Sequence, residues 1–335
     1  MGIDLPLIWL LIIGFGIMMY VIADGFDLGI GILFPFIKDR DQRDTMVNTV
    51  APVWDGNETW LVLGGAGLMA AFPQAYSILL SAFYIPVILM LLGLIWRGVS
   101  FEFRFKADEA HKPFWDRAFM LGSFVATFFQ GVMLGAFIDG VPVVDGRSAY
   151  GLMDWLTPFS VFTGVAVIAG YALLGVTWLV LKTEGHLQQR MIRATRRITV
   201  VVLIAIAIAS VWTPLANPAI AQRWFSLPEL WFFLPVPVLV LIAAYAIFRT
   251  SHNDPHAGPF VWSLVLVFLA YSGFVISIWP NIVPPSLSIW QAAAPPQSLG
   301  FTLVGALLII PMIIGYSAWA YYVFRGKVKV GEGYH

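Results

Sequence analysis

The sequence has no cysteine, so it can form neither a disulfide nor a thiolate metal site. Charge is also scarce. Asp, Glu, Lys and Arg make up 11% of the 335 residues, and soluble domains typically carry about twice that share. The 19 basic and 19 acidic residues cancel, so nothing in the charge balance points to nucleic acid or to an acidic partner. There are five histidines, His111, His186, His252, His256 and His335, and none falls inside a long apolar run. A membrane haem needs an axial ligand, usually histidine, and this chain offers none at depth. Its 11 methionines read as core. No phosphate-cradling loop, nucleophile elbow or metal-ligand cluster is present. The start, "MGIDLPLIWL", lacks a basic region, so no signal peptide is expected and the first apolar run reads as a membrane helix.

What the chain does have is apolar length, with 59% of its residues hydrophobic. The runs reach about 20 residues without period-two alternation, which predicts an all-α integral membrane protein and not a barrel. Nine transmembrane helices are expected at 5–37, 50–72, 76–97, 115–138, 157–181, 198–216, 231–248, 258–279 and 299–324. With nine spans, 17 of the 19 basic residues fall on one side and only Arg147 and Arg223 on the other. The positive-inside rule then puts the N-terminus in the periplasm and the C-terminus in the cytoplasm. Tryptophans near span ends, such as Trp9, Trp96 and Trp279, read as interfacial belts. The chain is expected to be a single polytopic domain over 1–335. Two four-helix halves, 1–140 and 155–280, with a peripheral last helix at 299–324, are a further reading that rests on Tyr20 and Tyr171, each placed before a basic loop.

Two carboxylates interrupt the first span in "ADGFDLGIG", Asp24 and Asp27, and two more open the second in "VWDGNETW", Asp55 and Glu58. Each pair is spaced by three, which places its members on one helix face. Asp27 lies 11 residues inside Lys38, roughly 16 Å along a helix. Counted from a turn near Asp41, Asp27 matches Asp55 in depth and Asp24 matches Glu58, provided both helices are continuous. An ionised Asp at the centre of a span costs about 2.5–3.5 kcal/mol on insertion scales, so these groups must face protein or water, find partners, or share protons. No basic residue is expected deep enough to pair with them. Arg97, taken as the cytoplasmic end of the third span, is the nearest candidate partner. Two roles fit: capping and bonding of kinked helices with help from Asn57 and Thr59, or a proton or cation route from the cytoplasm. Gly25, Gly29 and Gly31 fit close helix approach.

The motifs "ADGFDLGIG" and "APVWDGNETWLV" resemble subunit II of the cytochrome bd-type quinol oxidases, including the cyanide-insensitive branch. "FYIPVILMLLGLIWRGVSFEFR", "FWDRAFMLGSFVATFFQGVMLG" and "GYSAWAYYVFRGKV" are similar to the same family, and the resemblance covers essentially the whole chain. It implies a bacterial inner-membrane subunit that ligates no haem itself. It also implies a partner, subunit I, holding two haems b, a haem d or third haem b, and the quinol site. The complex would oxidise quinol and reduce O2 to water, building a potential without pumping protons. Carried over, the proton route comprises Asp24, Asp27, Asp55 and Glu58, with Arg97 as a charge partner or haem-propionate contact. A small single-helix subunit and membrane lipids are further expected partners. A proton-coupled secondary transporter and a purely structural membrane subunit are the competing readings of the same acids.

Overall fold

The computed structural model describes residues 3–253 and 255–328. Lys329 and His335, assigned above to the cytoplasmic tail, lie outside the described residues. In chain order the helices are α1 Leu5–Leu33, α2 Arg40–Asn48, α3 Trp54–Ala71, α4 Pro73–Ala82, α5 Tyr84–Lys106, α6 Lys112–Asp139, α7 Pro158–Lys182, α8 Gly185–Ala216, α9 Pro218–Phe225, α10 Glu229–Phe233, α11 Pro235–Asn253, α12 Gly258–Ile278, α13 Ile289–Ala292 and α14 Pro296–Val323. Two short hairpins, Val143–Ser148 and Asn281–Ser288, decorate the connections after α6 and α12.

Local chemistry sets the breaks. The Asp4 side chain caps α1 by accepting from the Leu7 N–H at 3.1 Å. Pro35 turns the end of α1 into a 3-10 turn, Phe34–Phe36. Asp39 caps α2. Pro73 and Pro86 each stand in the first turn of a new helix, where a missing N–H costs nothing.

Among the described residues, eight helices are long and apolar enough to cross a membrane by length and composition. The segment expected as the second span forms α3, which is not among the eight because Asp55, Asn57 and Glu58 crowd its first turns. The hairpin between the first two spans is not continuous helix, since α2 and a turn at 49–53 intervene. The third span is also displaced from its expected place at 76–97. Residues 73–82 make the separate helix α4, and the long apolar helix runs from Tyr84 to Lys106. Arg97 is therefore nine residues inside the end of α5, about 14 Å along the axis.

The core centres on α1, which packs against α3, α6 and α7. From Ala23 to Phe34 every residue of this segment is buried. Phe26 stacks on Trp178 of α7 at 4.2 Å between ring centroids. Glycine permits this packing. A Cβ on Gly29 would sit 2.0 Å from the Tyr171 carbonyl oxygen and 2.9 Å from the Gly175 nitrogen, so α1 and α7 touch backbone to backbone. The outer helices differ in kind. On α14 only Leu299 is buried, and Phe301, Leu308 and Met312 stand exposed, as suits a lipid-facing surface.

Candidate functional site

Four helices converge on the acids of α1. The Arg97 guanidinium of α5 donates from Nη2 to Asp24 Oδ1 at 2.7 Å, and both side chains are fully buried. The same Nη2 also donates to Glu58 Oε1 of α3. Asp24 and Glu58 thus share one cation, at the matched level that counting from the turn implies. Arg97 also lies over the Trp54 ring, with its Cζ 5.7 Å from the centroid, and Trp54 stacks on Phe101 at 5.1 Å. This corrects the expectation that no basic residue reaches the acids. The sequence placed Arg97 at a helix end because it opens a basic stretch, whereas α5 continues past it for more than two turns.

Asp27 has a different partner. Asn57 Nδ2 donates to Asp27 Oδ2 at 2.7 Å, and the Tyr321 hydroxyl of α14 donates to Asn57 Oδ1 at 2.7 Å. Asp27 does not meet Asp55, the residue expected at its depth. The turn at 49–53 rotates the start of α3, so Asn57 faces α1 and Asp55 is exposed on the outer side of the helix. On the far side of α1, the Tyr171 hydroxyl donates to Gln130 Oε1 at 2.9 Å, and Gln130 Nε2 donates to the Tyr20 hydroxyl at 2.6 Å, one turn from Asp24. Tyr20 and Tyr171, paired in the sequence as a sign of two halves, meet through this one glutamine.

A second charged cluster lies near the end of α5 and the start of α6, beside α2. Arg104 Nε donates to Asp116 Oδ1 at 2.6 Å, its Nη2 donates to Asp44 Oδ1 at 2.6 Å, and Arg43 donates to Asp116 Oδ2 at 2.8 Å. The sequence held a signal for it. Arg97 and Arg104 are seven apart, two helical turns, and so share a face of α5. Tyr321 and Gln130 had no comparable signal, because a lone hydroxyl or amide in a span gives no hint of which helix it meets.

Every described histidine is exposed near a helix end or in a loop. The described residues contain no cluster of three His, Cys, Asp or Glu side chains that could hold a metal ion. The interior donor set, carboxylates with one arginine, two amides and tyrosine hydroxyls, suits proton and ion-pair chemistry.

The family described as Cytochrome bd terminal oxidase subunit II matches residues 5–324. The chain belongs to that family. It is 31% identical to cytochrome bd-I ubiquinol oxidase subunit 2 of Escherichia coli K12, with 97% of this chain and 95% of that protein covered. It is 28% identical to cytochrome bd ubiquinol oxidase subunit 2 of Bacillus subtilis 168, with 97% of each covered. A chain of the solved bd oxidase from Geobacillus thermodenitrificans superposes with a TM-score of 0.81 over 96% of this chain and 99% of that one, at 15% identity. That superposition shows a shared fold.

Proposed function

We propose that this chain is the non-haem-ligating subunit of a bacterial bd-type quinol oxidase and that its buried acids form a route for protons from the cytoplasm. Family membership supports the first part. The observation that carries the second is the pair Asp24 and Asp27, both fully buried within one turn of each other, with Asp24 sharing a single arginine with Glu58 and Asp27 held by Asn57. Each O2 reduced to water takes four electrons from quinol and four protons from solution. The haems held by subunit I supply the oxygen chemistry. The residues of this chain hold and hand on protons through a layer that excludes bulk water. Arg97 offsets part of the negative charge, so that the acids can alternate between ionised and protonated forms without carrying a full uncompensated charge. Asp55 opens outward from α3, where a carboxylate at membrane depth requires protein or water against it. The route therefore leaves this chain toward subunit I at Asp55.

The topology supported is nine spans, with α3 as the polar one, the N-terminus periplasmic and the C-terminus cytoplasmic. With Arg97 removed from the loop count, 16 basic residues remain on the cytoplasmic side against two outside. Turnover builds a potential because its protons come from the cytoplasm, without a pumping step. A small extra subunit and bound lipids complete the proposed assembly. Asp55→Asn tests the outward exit. Lower oxygen consumption at unchanged haem content supports it, and full turnover removes Asp55 from the route.

A further inference from the structure

The last helix looks like a lipid-facing strut, yet its cytoplasmic half does something the rest of it does not. Tyr321 reaches inward and its hydroxyl ends on Asn57, itself buried and bonded to Asp27. Beside this chain of contacts lies a narrow cleft of about 10 Å³ between α3 and α14, lined by Val53, Gly56, Asn57, Ser317, Ala320 and Tyr321 among others. That is room for a single water. It sits at the first turns of α3 and the last turns of α14, the ends that the charge distribution assigns to the cytoplasm. Behind Asn57, Asp27 Oδ1 is buried and accepts from no described residue.

We propose that protons reach Asp27 through this cleft and that Tyr321 gates it by way of Asn57. The proposal rests on the proton-route reading above and names its entrance. When Asp27 is ionised, the Asn57 N–H donates to the carboxylate and the amide oxygen accepts from Tyr321, the arrangement seen here. When Asn57 swings aside, a hydronium in the cleft gives its proton to Asp27 and leaves as water, and the acid becomes a donor. The amide then turns over, offering its oxygen to Asp27 and its N–H to the Tyr321 oxygen. In both arrangements Asn57 bonds Asp27 on one side and Tyr321 on the other. Asn57 carries no proton itself; it couples the state of Asp27 to the hydroxyl at the cleft wall. Tyr321 is a positioning residue.

Because the chain has no cysteine, Ser317→Cys places a single thiol of this subunit in the cleft. The assembled complex is studied in inverted membrane vesicles, with the cytoplasmic face outward, and treated with a small cationic methanethiosulfonate. Its turnover is compared with its own untreated rate and with the parent complex treated identically. The entrance predicts that the thiol is labelled and that labelling slows oxygen consumption without loss of haem. A thiol that resists the reagent, or that is labelled with full turnover retained, overturns the proposal. Tyr321→Phe keeps the ring that packs edge-on to Trp178 at 6.2 Å and removes only the hydroxyl. It is expected to lower kcat by roughly tenfold, less than removing a proton-transferring group, with the quinol KM unchanged. An unchanged kcat removes Tyr321 from the gate. Asp27→Asn separates the two levels of the account. If it stops turnover while the labelled Ser317→Cys complex runs at full rate, the route stands and its entrance lies elsewhere. If Asp27→Asn itself runs at full rate, the route falls.

Discussion

Asp24 of α1 and Arg97 of α5 meet at 2.7 Å with neither side chain exposed. They are 73 residues apart in sequence, so the contact ties the first helix to the third long one at membrane depth. Breaking a buried pair by removing one partner costs about 3–5 kcal/mol, because the other charge is left uncompensated. Arg97→Leu is therefore expected to lose assembled, haem-bearing complex from membranes. Adding Asp24→Asn to Arg97→Leu removes a stranded charge and should recover part of it. Haem content per milligram of membrane protein reads both. Normal haem content in Arg97→Leu alone would show that the pair is dispensable for assembly.

The contact between α1 and α7 gives a second prediction. A methyl group at Gly29 must push away the Tyr171 carbonyl and the Gly175 backbone, and neither can rotate aside. Gly29→Ala should cost at least the 1–3 kcal/mol typical of overpacking and depress the yield of folded subunit. Gly170→Ala, on α7 with open space around it, is the matched control and should express normally. Equal yields of the two variants in detergent extracts would contradict the close approach.

How much of this was readable beforehand differs by kind of feature. The four acids and their spacing were legible because charge in an apolar run is conspicuous and helical periodicity is local. The all-helical membrane class followed from hydropathy alone. Arg97 was seen and misplaced, since composition marks where basic residues begin but not where α5 ends. Asp55 was given the partner that belongs to Asn57, because the five residues of turn at 49–53 rotate the face of the helix that follows. Tyr321 could not be paired with Asn57 from sequence, with 264 residues between them. Such contacts depend on which helices become neighbours, and no local pattern encodes that.

Tyr150 lies in the connection between α6 and α7, outside the long apolar helices. Its half-buried hydroxyl donates to the Gly140 carbonyl oxygen at 2.8 Å. Burial, followed by the nearby Asp139 and Asp154, pushes its pKa up to about 12. An unperturbed tyrosine titrates near 10. The folded value is raised, so the stabilisation is fully present below about pH 10 and is lost as pH rises through about 12. Subtracting the ultraviolet titration of Tyr150→Phe from that of the parent should leave one phenol ionising near 12. A difference curve centred near 10 would place Tyr150 in solvent instead.

The central claim is that Asp24 and Asp27 carry protons. Its most direct test is oxygen consumption per haem, with quinol as donor, in purified complexes bearing Asp24→Asn or Asp27→Asn. Each change keeps shape and hydrogen bonding and removes the titrating group. The account predicts complexes that assemble with the parent's haem content and turn over at least tenfold more slowly, the lower range for loss of a proton-transferring group being about a hundredfold. Parent-level turnover in both variants, at the same haem content, would contradict it and leave these acids a purely structural role.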